Sequence, residues 1–326
     1  MDTRNIGVVV IGRNEGARLV KCLRSLTGAA KHIVYVDSGS TDNSVAVANQ
    51  VGIDVLHLDV SIPFTAARAR NAGAFYLLKK YKSIDYLQFV DGDCEVVTGW
   101  LDQAVEFLNA NPSVAVTCGR RRERFPRASI YNRLCDIEWN TPTGETKACG
   151  GDALVRCDAF SAVKGYREDM VAGEEPELCV RLRLAGYKIH RLDIEMTLHD
   201  AAMTSFKQWW KRTVRGGYAF ALGVHLHGKP PERHWVVESK RAWIWGALIP
   251  LLIFTFSVCV STWFLLLLLV YPLQVTKIAM RGQYQGLAKW WYALFLVLGK
   301  FAEIIGQLQF LRHLVLNVRG KLIEYK

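Results

Sequence analysis

From Ala242 to Val275 the chain carries no charged residue. As one straight helix this run would be about 50 Å long, against a hydrocarbon core of roughly 30 Å. No water-soluble core of ordinary size hides such a segment, so it predicts a membrane-embedded part. A hairpin broken near residues 257–262, with Pro250 and Pro272 kinking its arms, resolves the length mismatch; a single tilted span is the alternative. Lys229, Arg233, Lys240 and Arg241 precede the run, and Lys277 and Arg281 follow it. Basic flanks collect on the cytoplasmic side of membranes, so both ends are expected there. Residues 290–310 are also apolar but contain Lys300 and Glu303, spaced to pair on one helical face. That segment reads as an interfacial helix. The expected division is a catalytic domain over 1–222, a basic linker over 223–241, the hairpin over 242–275, and an interfacial helix with a cytoplasmic tail over 276–326.

The N-terminal part alternates in a different rhythm. Ile6 to Ile11 is a short apolar run without polar alternation, as expected of a strand buried on both faces. It is too short for a secretory leader. Helix periodicity follows from Ala17 to Leu26, a second buried strand from His32 to Val36, a helix from Asn43 to Gln50 capped by Ser40 or Thr41, and a third strand from Val55 to Leu58. A helix over Thr65–Lys80 and a strand over Tyr86–Val90 continue the pattern. Such alternation predicts an α/β fold with a doubly wound, mostly parallel sheet, which binds ligands beyond the carboxyl ends of its strands. Asn14, Glu15, Asp37 and Asp91 all fall at such ends. Asp42 reads as a helix cap or turn. In Asp91-Gly92-Asp93 two carboxylates sit two residues apart, where both can face a Mg²⁺ or Mn²⁺ ion and the phosphates it carries.

These segments, in this order, resemble the family 2 glycosyltransferases of the GT-A fold. The matching stretches are Val8-Val9-Val10-Ile11-Gly12-Arg13-Asn14-Glu15, Val36-Asp37-Ser38-Gly39-Ser40-Thr41-Asp42, Ala69-Arg70-Asn71-Ala72-Gly73, Val90-Asp91-Gly92-Asp93 and Gly173-Glu174-Glu175-Pro176-Glu177-Leu178. The resemblance implies that Asn14, Glu15 and Asp37 hold the base and ribose of a nucleotide-diphosphate sugar. It implies that Arg70 faces the nucleotide pocket, that Asp91 contacts ribose or metal, and that Asp93 binds the metal. Ser38 stands where the family commonly has a second Asp. Glu175 aligns with the general base of inverting members, and Glu174 is the alternative. The acids also open a predicted helix, Pro176 to Ala185, whose positive end they would suit.

Four features remain open in sequence. The run Gly119 to Arg127 is either a solvated loop or a patch for an anionic acceptor or lipid head group. Gly150-Gly151-Asp152 resembles the family's acceptor-side segment, so Gly151, Asp152 and Glu177 are acceptor candidates. His199 is either a structural histidine or, as in many GT-A enzymes, a metal or diphosphate contact. Lys211 and Arg212 lie in a loose version of the Gln-x-x-Arg-Trp element of polysaccharide synthases, and serve either the diphosphate or the membrane interface.

The formal net charge of +11 favours an anionic partner. No nucleic-acid motif accompanies it, so anionic lipid is the expected partner and nucleic acid is not. The 8 cysteines show no Cys-x-x-Cys pair and read as reduced thiols. The expected activity is metal-dependent, inverting transfer of a sugar to a polyprenyl-linked saccharide in envelope polysaccharide assembly, at the cytoplasmic face of the inner membrane. A polyprenyl-phosphate glycosyltransferase or a processive synthase is the enzymatic alternative, and a nucleotide-sugar-binding membrane scaffold the non-enzymatic one.

Overall fold

The computed structural model describes residues 5–282 and 286–318, which divide into two units at Ala202 and Met203. The first unit is built on β1 (Ile6–Gly12), α1 (Ala17–Leu26), β2 (His32–Asp37), α2 (Ser44–Gln50), β3 (Asp54–His57), α3 (Ala66–Lys80) and β4 (Tyr86–Asp91). There follow β5 (Cys94–Val96), α4 (Trp100–Ala110), β6 (Val114–Glu123), α5 (Ile130–Trp139), β7 (Gly144–Glu145), β8 (Ala153–Arg156), α6 (Cys157–Ala162), α7 (Glu174–Leu184) and β9 (Lys188–His199). One sheet runs β3-β2-β1-β4-β8-β6-β9-β5, with β7 beside β9. β1 to β4 are mutually parallel, β8 turns antiparallel, and β6 and β9 are parallel again.

The charge-free strands form the core because both their faces are covered. Val8, Val9 and Val10, then Val34, Tyr35 and Val36, and Leu87 and Phe89, are all fully buried. α3 can lie tightly on β1 and β2 because of Gly73, where an added Cβ would stand 2.4 Å from Val9 and 2.9 Å from Val36. Thr65 caps α3, accepting from Arg68 N, so the predicted helix start is its cap. For α2 the cap differs from the expectation: neither Ser40 nor Thr41 serves, and the Asp42 carboxylate accepts from Ser44 N at 3.0 Å.

In register, Gly12 faces Asp37 and Ile11 faces Asp91, so the ends of β1, β2 and β4 stand side by side. β5 pairs Cys94 with His199, and β6 pairs Glu123 with the same His199. The basic run, open in sequence between a solvated loop and an anion-binding patch, is partly strand: β6 continues to Glu123, and period-two alternation divides its charges. Arg120 and Arg122 pair with Asp193 and Glu195, which are exposed, while Arg121 and Glu123 turn inward.

The second unit begins with α8 (Phe206–His227), one helix of 22 residues. The expected boundary at 222 falls inside this continuous helix, whereas the two units divide at 202, and α8 packs with the C-terminal helices. Only residues 228–235 of the expected 223–241 linker lie between helices. Among the described residues, three helices are long and apolar enough to cross a membrane: α9 (Val236–Cys259), α10 (Thr262–Arg281) and α11 (Leu287–Val315). α9 and α10 break at Val260-Ser261 and lie alongside one another, with Phe256 stacked on Phe264 and Tyr271 Oη donating to Trp245 O. A π-helical turn, Ile244–Leu248, precedes Pro250, and a 3-10 stretch, Thr262–Leu269, precedes Pro272. Proline lacks the N–H and crowds the carbonyl four residues back, so the turn before it adjusts. α11, expected at the interface, is a single helix of 29 residues, so length does not confine it there. Lys300 and Glu303 pair as their spacing predicts, at 2.7 Å. α8 and α11 cross at glycines: a Cβ on Gly217 would fall 2.0 Å from Glu303 O, and one on Gly306 2.0 Å from Val214 O. The tail beyond 318 lies outside the described residues.

Candidate active site

At the ends of β1 and β2, Asn14 adopts φ +58°, a left-handed conformation asparagine tolerates. Its amide oxygen accepts from Thr41 N at 2.7 Å and its own N–H donates to Ser40 Oγ at 3.0 Å. Asp37 is buried and accepts from Gly39 N and Ser40 N, both at 3.1 Å. The stem of Glu15 packs over Gly92, where an added Cβ would be 3.2 Å from Glu15 Cγ. The three residues expected at the base and ribose thus tie their loops together, with Asn14 exposed and Glu15 half-buried.

Asp91 and Asp93, two residues apart, do different things. Asp91 is held by Arg70 at 2.7 Å, and Arg70 holds Glu174 at 2.7 Å with its other nitrogen. Burial alone would lower the Arg70 pKa; the two carboxylates outweigh it and push it up, so this guanidinium stays charged. Asp93 instead meets His199 Nε2 at 3.3 Å, both side chains buried. Register brings them together: β5 lays Cys94 opposite His199, and Asp200 N donates to Asp93 O at 3.0 Å. His199 Nδ1 is buried without a hydrogen bond, 3.9 Å from Glu123 Oε2. Trp139 meets the His199 ring edge-on at 4.7 Å and also lies against Arg121.

A carboxylate, an imidazole and the Cys94 sulfur come within 4.8 Å of one another here. Burial pushes the Cys94 pKa well up, so its sulfur remains a thiol, donating to Asp93. The working donors are the oxygen and the nitrogen, a set that fits a divalent ion completing its shell with phosphate oxygens or water. Asp91, expected at the ribose or the metal, is not in this group: its carboxylate pairs with Arg70 at 2.7 Å.

The acceptor candidates separate likewise. Asp152 is fully buried, accepting from Asp91 N at 3.1 Å and Thr197 Oγ1 at 2.8 Å and pairing with Arg121 at 2.9 Å. Glu177 is also buried, gripped by Arg181 at 2.8 Å, and Arg181 donates onward to Val163 O. Through Arg181, Glu177 joins α7 to the end of α6. Gly151 lies against the Arg70–Asp91 pair, where an added Cβ would be 2.9 Å from both Arg70 Nη2 and Asp91 Oδ2.

Glu175 is buried at the start of α7. Its Oε1 accepts from Cys149 N at 2.7 Å and Cys179 Sγ at 2.9 Å, and its Oε2 from Gly150 N at 2.9 Å. A carboxylate offers about four lone-pair sites, so one remains, on Oε2. Burial raises its pKa above the ordinary glutamate range despite these donors. Arg121, Glu123 and Trp139 escaped the sequence reading; the signal available was the alternation of residues 120–123. Lys211 and Arg212 lie on α8 in the second unit. Gln208, in the same element, closes a capping box with Ser205.

Residues 7–165 match the family model described as glycosyl transferase family 2. This segment, a little under half of the chain, is similar to family 2 glycosyltransferase domains. The chain is 27% identical over 256 residues to the pre-mycofactocin glycosyltransferase of Mycobacterium tuberculosis strain H37Rv, covering 74% of this chain and 52% of that protein. It is 29% identical over 191 residues to the succinoglycan biosynthesis protein ExoA of Rhizobium meliloti, covering 54% of this chain and 56% of that one. The chain thus spans about half the length of these curated relatives. Among solved structures, the mannosyltransferase PcManGT of Pyrobaculum calidifontis, in complex with GDP-Man and Mn²⁺, superposes with a TM-score of 0.63 at 16% identity, covering 93% of this chain and 87% of that one. The fold is GT-A, as the motif order implied.

Proposed function

We propose that this protein is a metal-dependent, inverting hexosyltransferase acting at a membrane surface. It would move a sugar from a nucleotide-diphosphate donor to a hydroxyl of a lipid-linked acceptor in envelope polysaccharide assembly. The carrying observation is the Asp93–His199 pair at the strand ends, beside the Arg70–Asp91–Glu174 cluster, in a chain similar to family 2 domains. Asp93 and His199 would hold the divalent ion, which when bound neutralises the departing diphosphate.

This chain's own residues do the rest. The loops of Asn14, Glu15 and Asp37 bind the nucleoside. Arg70 fixes Asp91 beside Gly151, where backbone approaches the sugar. Glu175 accepts the proton of the attacking hydroxyl at Oε2, where burial raises its pKa, whereas the Glu174 carboxylate is taken up by its pair with Arg70. The three helices would anchor the catalytic domain at the cytoplasmic face of the inner membrane, with Lys211 and Arg212 at the head groups.

The test is purified full-length protein with a panel of nucleotide sugars, following nucleotide release with Mn²⁺ and with excess chelator. Asp93→Asn should abolish release and metal-assisted donor binding while leaving the melting temperature within a few degrees. Full turnover in that variant, or in chelator, would remove the assignment.

A further inference from the structure

The second unit contains a cavity of about 510 Å³, in the size range of small-ligand sites. Trp245, Tyr292 and aliphatic side chains line it, and four cations reach it: Arg241 from α9, Lys277 and Arg281 from the end of α10, and Lys300 from α11. Glu303 neutralises Lys300. Among the described residues, Arg241, Lys277 and Arg281 have no carboxylate partner.

Three uncompensated cations around one space repel each other, and an anion relieves that cost. Guanidinium forks match phosphate oxygens in pairs, and lysine adds a point charge. A phosphomonoester carries about −1.5 to −2 at neutral pH, and a diphosphate more, whereas a phosphodiester carries only one charge. The apolar walls suit hydrocarbon. Position agrees: Arg241 stands where the chain enters the uncharged run, and Lys277 and Arg281 just after it leaves. Cations that merely reached for head groups would spread around the helix ends. Here they line a single cavity.

We propose that this cavity binds the head group of a lipid phosphomonoester or diphosphate, with its hydrocarbon chain running along α9 and α10. The site deepens the reading of the acceptor as lipid-linked and rests on that reading for its part in sugar transfer.

The experiment uses full-length protein in nanodiscs of phosphatidylcholine and measures binding of farnesyl phosphate and farnesyl diphosphate. The comparators are farnesol, phosphatidylglycerol and inorganic phosphate. The combined variant Arg241→Gln, Lys277→Gln, Arg281→Gln should weaken the two prenyl phosphates by on the order of a hundredfold, from about a tenfold or smaller loss per cation. The variant Lys229→Gln, Arg233→Gln, Lys240→Gln, with equal charge loss outside the cavity lining, should weaken them less than about threefold. If the triple variant unfolds, single Arg241→Gln and Arg281→Gln are read instead, each expected to lose severalfold. Equal losses in the two triple variants would mean diffuse surface charge and overturn the site. So would competition at equal concentration by phosphatidylglycerol, by inorganic phosphate or by farnesol, or no binding at all. Metal-dependent donor hydrolysis in the same nanodiscs reports separately on sugar transfer. Its absence with lipid binding intact would sink the transferase reading and leave the lipid site standing.

Discussion

Asp152 separates a structural reading of the acceptor-side segment from a catalytic one. Its carboxylate is fully buried and takes three partners: Arg121, Thr197 Oγ1 and Asp91 N. Asp152→Ala would leave Arg121, itself largely buried, with Asp91 at 3.9 Å as its remaining ion-pair partner among the described residues. Removing one partner of a buried ion pair costs about 3–5 kcal/mol. For a unit of this size, about 1 kcal/mol shifts the melting temperature by roughly 2–4 °C, so the expected fall is on the order of 6–20 °C. Asp152→Asn keeps the shape and the acceptor oxygen and should lose less. The assay is tryptophan-fluorescence melting of the full-length protein in detergent at one scan rate, with donor and acceptor KM measured alongside. If Asp152 instead bound an acceptor hydroxyl, Asp152→Ala would raise the acceptor KM and leave melting almost unchanged. That result would refute the buried-pair reasoning.

Glu175→Gln should lower turnover by about a hundred- to ten-thousandfold with donor affinity unchanged, and near-normal turnover would move the base to Glu174. Because burial raises the Glu175 pKa in the folded state, the native protein holds its proton more tightly than the unfolded chain does. Stability from this group is therefore full below the ordinary glutamate pKa and declines as pH rises through the raised one; Glu175→Gln should flatten that slope in urea midpoints measured across pH. Gly217→Val or Gly306→Val should destroy the α8–α11 crossing and give aggregated protein on size exclusion, whereas Gly216→Ala, with nothing within 4 Å of the added Cβ, should behave as the parent. Cysteines placed near Lys229 and near Arg281 should label from the same side of the membrane, and labelling from opposite sides would require an odd number of spans between them.

What sequence made legible was whatever local pattern decides. Charge-free strands, helix periodicity and acids at strand ends placed β1 to β4 and their loops within a residue or two, because a strand buried on both faces is predominantly apolar, and Gln88 in β4 is buried with its side chain hydrogen-bonded to Phe89 O and Trp100 Nε1. The site was legible where one strand end supplies the group, as with Asn14, Asp37, Asp91 and Asp93. It was illegible where pairing between distant strands supplies it. Glu123 reaches His199 only because β6 and β9 are in register, and Arg121 reaches Asp152 only because β6 continues past Gly119, where an added Cβ would meet Ile194 O at 2.6 Å. Read by composition, residues 119–127 are a charged stretch; read by alternation, its strand part to Glu123 turns Arg121 and Glu123 to the interior. The same distinction explains why Asp152 and Glu177 looked like acceptor ligands. An acid beside glycines, or at a helix start, has the same local signature whether it faces a substrate or a buried arginine. The partner that decides lies 31 residues away for Asp152 and one helical turn away for Glu177. Only the long-range pair needed the fold to be seen; Glu177 and Arg181, at i and i+4, were within reach of the sequence and were passed over because the family motif drew attention to the acids alone.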